Sequence, residues 1–536
     1  MTTVADVLAR RLFDAGCRYA FGIPGGEVLA LVDALERAGI RFVLCKHENG
    51  AGFMAEGAWS VNGAPGILLA TLGPGVANAA TAVANAEQDR VPLLVLTGCV
   101  DDADRLTYPH QIFDHGALFA PITKASFRVS PDTAGIVAEK ALAIATGGRP
   151  GPVHVDVPVG VAGAVFDGRV PIRPAPPGAR APAPSADFDT ARRWLSESER
   201  PLILAGMDVL HQGADEALSG FADRFGVPVI TTYKAKGVIP EDHPLSIGGA
   251  GLSPAADRHL LALVRAADLL LLVGYDPIEM RTGWRDVWDP RSQRVLEFSA
   301  LDDHHFMHQA GIRFICDSGA ALDRLGREGP SRTTWPDGEP AATKSELRSV
   351  YRGEEDWGPA ALIRTARENT RRDAIATVDS GAHRILLSQM WECYRPRTLL
   401  QSVGLGAMGC ALPLAIGAKL AARQRQVVCF TGDAGLEMIL GELATLRDLN
   451  LAIPVVVFAD ASLALIELKQ RAMGLGNAGV DFDGTDFAAV GEALGGRGVV
   501  AHGREVLAAA LGDAFSRDAF TVIACPIERR SYDGRI

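Results

Sequence analysis

Two aspartates close apolar runs of this chain. Asp433 follows QVVCFTG (426–432) within Gly432-Asp433-Ala434-Gly435, and Asp460 ends PVVVFAD (454–460). Runs this short and this apolar read as strands buried on both faces. Between them Leu436, Met438, Ile439, Leu440, Leu443 and Leu446 predict one helix of about four turns. A strand, a helix and a returning strand make a right-handed crossover, so both strands finish at one sheet edge. As neighbours, their ends lie about 4.8 Å apart. Carboxylates that close repel unless a cation lies between them. A hard divalent ion such as Mg²⁺ takes such oxygens, adds backbone carbonyls and completes its shell with phosphate. The glycines admit phosphate to the backbone, and the helix N-terminus favours its charge. Taken singly, Asp433 reads as a helix cap and Asp460 as a loop acid. The pair on one edge is what points to a metal–phosphate cradle.

Other residues could serve the same chemistry. LLQSVGLGAMGCALPLAIGAKLA (399–421) has glycines at 404, 406, 409 and 417, suited to a tight turn into a buried helix. Met408 within it reads as a residue that fills core space. His383, in DSGAH after the run AIATVD, is within reach of a phosphate or is structural. Glu48 lies in KHENGAGFMAEGAW, among small and apolar neighbours. A carboxyl buried there needs a specific hydrogen-bond partner; an exposed one would merely cap a helix. Gly73-Pro74-Gly75 after GILLATL opens another helix.

These residues need parallel sheets to position them. Candidate strands are RFVLCK (41–46), GILLATL (66–72), VPLLVLTG (91–98), PLILAG (201–206), DLLLLVG (268–274) and the two runs above. Helical patterns alternate with them, the signature of an α/β fold. Residues 166–187, rich in Pro and Ala, and polar residues 327–357 read as linkers. They divide the chain into 1–165, 186–328 and 358–536. With 536 residues the chain suits three α/β domains. The first and third could be copies of one plan, although no repeat is visible.

Composition excludes several classes. A net charge of -11 without a basic tract argues against nucleic acid. MTTVADVLARRLFDAG reads as an amphipathic helix rather than a signal peptide, and no run is long and apolar enough for a membrane helix. The eight cysteines form no C-x-x-C pair, which fits reduced core thiols and argues against zinc. A cytoplasmic protein that binds neither membrane nor nucleic acid is expected.

Together the pieces resemble the acetolactate synthase branch of the thiamine diphosphate-dependent decarboxylases and carboligases. The resemblance rests on FGIPGGEVLALVDAL, KHENGAGFMAEG, TLGPGVANAATAVANAEQDRVPLLVLTG, SVGLGAMGCALPLAIGA and GDAG…VVVFAD, in order along nearly the whole chain. YPHQIFDHGALFAPITK (108–124), GYDPIEM and TTYKAKG are similar to the catabolic, FAD-independent synthases.

This resemblance implies three doubly wound parallel-sheet domains: pyrimidine-binding, central and diphosphate-binding. It implies thiamine diphosphate and Mg²⁺ as cofactors, no FAD, and a homodimer or homotetramer with active sites at the dimer interface. Glu48 would pair with the aminopyrimidine, and Met408 would prop the cofactor in its bent form. Asp433, Asp460 and the Ser462 carbonyl would hold the metal. Pro24, Gly25, Gly73, Asn78, His383, Gly406, Gly432, Ala434 and Gly435 would line the cofactor. His110 and Gln111 would handle the substrate. The expected substrates are a 2-oxo acid such as pyruvate and a carbonyl acceptor. Three departures stand out: Gly-Asp-Ala for the usual Gly-Asp-Gly, Ala459-Asp460 for Asn-Asn, and an unusual ASLALIELKQ after Asp460. Simple decarboxylation, aldehyde lyase or acetyl transfer chemistry, and a non-catalytic relative are the alternatives.

Overall fold

The computed structural model describes residues 1–173, 175, 178–302, 305–327 and 333–536. Within them, three six-stranded sheets follow one another along the chain, and every strand pairing is parallel. The first sheet comprises β1 (Tyr19–Ile23), β2 (Arg41–Leu44), β3 (Gly66–Ala70), β4 (Leu93–Cys99), β5 (Ala125–Arg128) and β6 (Val153–Pro158). The middle sheet comprises β7 (Pro201–Ala205), β8 (Val229–Thr232), β9 (Ser246–Ala250), β10 (Leu269–Val273), β11 (Arg294–Ser299) and β12 (Ile312–Ile315). The third comprises β13 (Ile375–Val378), β14 (Leu399–Gln401), β15 (Val427–Gly432), β16 (Pro454–Ala459), β17 (Arg497–Val500) and β18 (Thr521–Pro526).

The strand orders answer the question of repetition. The first sheet runs β2-β1-β3-β4-β6-β5 and the third β14-β13-β15-β16-β18-β17. Counted from each sheet's own first strand, these are one order. The middle sheet, β12-β11-β10-β7-β8-β9, is wound differently, in the order of dinucleotide-binding domains.

One hydrophobic core runs from the first sheet into the third. Its joint is a pair of helices, Glu48–Asn62 and Ala411–Ala421, that meet face to face at glycines and other small residues. Their backbones approach so closely that a Cβ at Gly417 would overlap the Met54 carbonyl, and one at Gly57 the Leu414 carbonyl. This joint fixes the helix that begins with Glu48.

In the middle sheet the switch-point crevice, between β7 and β10, is filled from the first unit. The Arg149 guanidinium is buried against Asp208 (3.1 Å) and Asp276 (3.4 Å), and Arg90 reaches Asp276 at 3.0 Å.

Two expectations need correction. The expected linker 327–357 contains the helix Glu339–Val350, whose Thr343 and Leu347 are buried because it packs against Pro254–Ala266. Residues 328–332 of that stretch, and 174, 176 and 177 of the other, lie outside the described residues. The single helix expected after β15 is two, Asp433–Glu437 and Glu442–Asp448, and Met438 between them is exposed. Glu442, after the break, turns its Oε1 to accept from the Lys46 and His47 backbone N–H groups, at 2.9 and 3.1 Å. The apolar pattern could not reveal this polar tie.

Candidate functional site

β15 and β16 are neighbours, with Gly432 opposite Phe458, so Asp433 and Asp460 leave adjacent strand ends. Both are buried. Asp433 ties the two ends together: Oδ1 accepts from its neighbour Ala434 N at 2.8 Å, and Oδ2 from Asp460 N at 3.0 Å and Ala461 N at 2.6 Å. Asp460 Oδ1 accepts from Ser462 N at 3.3 Å. The Arg529 guanidinium donates to the Asp460 and Ala461 carbonyls, holding the turn from outside. Burial raises the Asp433 carboxyl, against three backbone N–H groups that lower it. Burial, then the charge of Asp433, pushes Asp460 up to about 7. Two buried carboxyls raised together are a pair that a divalent cation would discharge.

These ends open into a crevice of about 200 Å³. It lies where the third sheet reverses its winding, between β13 and β15, the place where open α/β sheets take ligands. His383, Gly406, Met408, Gly432, Asp433, Ala434, Gly435, Asp460 and Ser462 all line it. His383 stacks on Phe458, with ring centroids 5.3 Å apart. Burial, and then the neighbouring Arg384, pushes its imidazole down to about 3, so it is neutral. Its Nε2 and the Ser380 Oγ line the crevice, and both are buried without a hydrogen-bond partner. Orphaned polar atoms beside an undischarged carboxylate pair fit a metal-bound diphosphate.

The first unit gathers a second set. Glu48 begins its helix and is buried, with Oε2 accepting from Asn78 Nδ2 at 3.1 Å. Gly73, at φ +65°, caps the helix that carries Asn78. The Gln111 backbone packs onto it so tightly that a Cβ at Gly73 would lie 2.7 Å from the Gln111 carbonyl oxygen. Pro24 and Gly25 follow β1 at the same carboxyl edge. His110 stands apart: it is exposed, with its ring against Tyr108 at 6.1 Å. None of these first-unit residues lines the crevice of the third sheet.

Three residues escaped sequence reasoning. Asp379 at the end of β13 accepts from Gly409 N at 2.9 Å and Cys410 N at 3.0 Å, and so holds the loop with Gly406 and Met408. Ser380 lies beside it, and Glu442 holds the turn that leads into the Glu48 helix by accepting from Lys46 and His47 N–H. Asp379 and Ser380 stand in the same DSGAH as His383; their place after an apolar run was the available signal. Glu442 had none.

Comparison with known proteins agrees with this geometry. Residues 2–118 match the N-terminal TPP-binding domain of thiamine pyrophosphate enzymes, 188–325 their central domain, and 379–525 their C-terminal TPP-binding domain. An acetolactate synthase large subunit of Lactococcus lactis is 32% identical, over 88% of this chain and 83% of its own length. A catabolic acetolactate synthase of Raoultella terrigena is 28% identical, over 98% and 95%. A probable 2-ketoarginine decarboxylase of Pseudomonas aeruginosa is 33% identical, over 92% and 88%.

Proposed function

The chain belongs to the thiamine pyrophosphate enzymes, in their acetolactate synthase-like branch, and on that premise we propose that it decarboxylates a 2-oxo acid, pyruvate foremost, and joins the acyl unit to a second carbonyl. The observation that carries this reading is the carboxylate pair at adjacent strand ends, beside the orphaned Ser380 Oγ and His383 Nε2. Asp433, Asp460 and the Ser462 carbonyl are assigned to Mg²⁺, and the two orphaned groups to the diphosphate. When bound, thiamine diphosphate supplies a carbon nucleophile that adds to a ketone and holds the electron pair released with CO₂.

The residues of the chain do the rest. Glu48, with Oε2 occupied by Asn78, keeps Oε1 to share a proton with the ring nitrogen of the aminopyrimidine. Met408 props the cofactor from the crevice wall. Gln111, seated on Gly73, is assigned to the substrate oxygen, and His110 reaches it only if its exposed loop closes. The ring-side and diphosphate-side residues of one chain do not line one cavity, so we assign the complete site to two chains, a homodimer at least. Ile466, which lines the crevice, and Leu405 and Met438 beside it are large and exposed, and suit that interface. Arg149, buried in the central crevice against two carboxylates, supports the reading that no FAD is used.

The test is product analysis with pyruvate, thiamine diphosphate and Mg²⁺, alone and with added aldehydes. Acetolactate or a mixed acyloin supports carboligation. Free aldehyde and CO₂ alone would favour simple decarboxylation, the reading suggested by the decarboxylase relative. No turnover of any 2-oxo acid removes the proposal.

A further inference from the structure

A polar network lies beneath Gly73, beside a cavity of about 310 Å³ that Leu72, Gln111, Phe113, His115, Arg128 and Asp156 help to line. His115 is buried, and its Nδ1 is 2.9 Å from Asp156 Oδ1. Thr97 Oγ1 donates to the same oxygen at 2.5 Å. It also lies 2.7 Å from His154 Nε2, whose ring partner Nδ1 is 2.7 Å from Ser126 Oγ.

The protons in this chain can be assigned. Thr97 has one proton and gives it to Asp156, so His154 must donate through Nε2 and accept from Ser126 at Nδ1. Asp156 is acceptor-only when ionised, so His115 donates through Nδ1. Burial alone would raise Asp156, yet its hydrogen bonds from His115 and His154 hold it well below the usual carboxylate range. The tautomer of His115 is thereby set, and its Nε2 carries the acceptor lone pair. That lone pair accepts one long bond, from Gly73 N–H at 3.5 Å, which a shorter bond from a substrate hydroxyl would displace. A base oriented by a partly buried carboxylate beside a cavity is the arrangement of an acid–base residue.

We propose that His115, oriented by Asp156, is an acid–base residue of the active site that serves a substrate hydroxyl at Nε2. The assignment rests on the proposed function, because Gly73 and Gln111 place the cavity beside the cofactor ring. In the step, the O–H bond breaks, its proton forms the Nε2–H bond, and the oxygen keeps the electron pair. The imidazolium is balanced by the Asp156 carboxylate, and the proton returns when the oxygen is neutralised. A lone pair selects a hydroxyl donor, so the pocket favours 2-hydroxy acids and the hydroxyl that forms from a 2-oxo acid.

The test uses the holoenzyme, His115→Ala and Asp156→Asn. Expected for His115→Ala is a kcat loss of about 100-fold or more, with thiamine diphosphate affinity, read by tryptophan fluorescence, near wild type. Added imidazoles should restore the rate in proportion to their basicity, which a merely structural role would not produce. Independently of turnover, calorimetry should show lactate binding weakened by about fivefold or more in both variants. If His115→Ala does not fold, His115→Phe keeps the ring volume and is read by the same lactate titration. Wild-type turnover with unchanged variants, or rescue indifferent to basicity, overturns this assignment alone. A wild type inactive on every 2-oxo acid overturns the proposed function and this assignment with it. One zinc per chain, lost in His154→Ala, would make the cluster of His115, His154 and Asp156 a metal site and overturn the acid–base role.

Discussion

Replacing Asp460 by asparagine removes one charge from the carboxylate pair and keeps an amide oxygen for the Ser462 N–H. The carboxyl titrates at 3.8 in its ordinary setting and at about 7 in the fold. Between those values the folded chain holds a proton that the unfolded chain has lost. The group's stabilising proton is therefore present in acid, and stability falls as the pH rises from about 4 to about 7. Above that window the whole cost of a buried, unbalanced charge remains, ~4 kcal/mol at most for a rise of this size. Relaxation around the site leaves ~2–4 kcal/mol as the expected gain from Asp460→Asn in the metal-free protein. Urea unfolding in chelator at about pH 8 and about pH 5 reads it, with the gain at the higher pH and little at the lower. Magnesium should stabilise the wild type more than the variant at the higher pH, because only the wild type has the full repulsion to relieve. A variant less stable than wild type at the higher pH, or shifted equally at both, would refute the reasoning.

Glu48→Gln should lower turnover by ~10²–10⁴-fold while circular dichroism stays unchanged, and near-normal turnover would remove its role. Gly417→Ala forces a methyl into the Met54 carbonyl and should cost ~1–3 kcal/mol in denaturant unfolding; no loss would mean that the helix joint yields. Arg149→Ala leaves Asp208 and Asp276 buried with less counter-charge and should cost ~3–5 kcal/mol. An unchanged midpoint would show that Arg149 does not lock the central unit.

Much of the site was legible because its signals are local. An apolar run ending in an acid announces a strand whose tip carries a carboxylate, and so Asp433, Asp460 and His383 could be named from residues alone. The loop with Gly406 and Met408 was likewise marked by its glycines. Asp379 ends an apolar run in the same way, but that it holds this loop could not be read, since an acid that accepts backbone N–H groups looks like any strand-end acid. The helix after β15 was misjudged because its apolar spacing continues through Met438, whereas the break follows from Glu442 reaching residues nearly four hundred positions away. His110 and Gln111 are neighbours in sequence, but only Gln111 is seated on Gly73.

The sequence by itself determined the alternation of buried strands and helices, the residues at the strand tips and the family resemblance, because each depends on a few consecutive side chains. Only the tertiary structure decided the order of the strands, the shared plan of the first and third sheets, and the insertion of Arg149 into the central crevice. It alone brought His115 to Asp156. An apolar run states that a strand is buried but not beside which other strand, and a buried polar group states that it needs a partner but not which one. Those choices are made by packing between distant segments, and no short stretch of chain contains them.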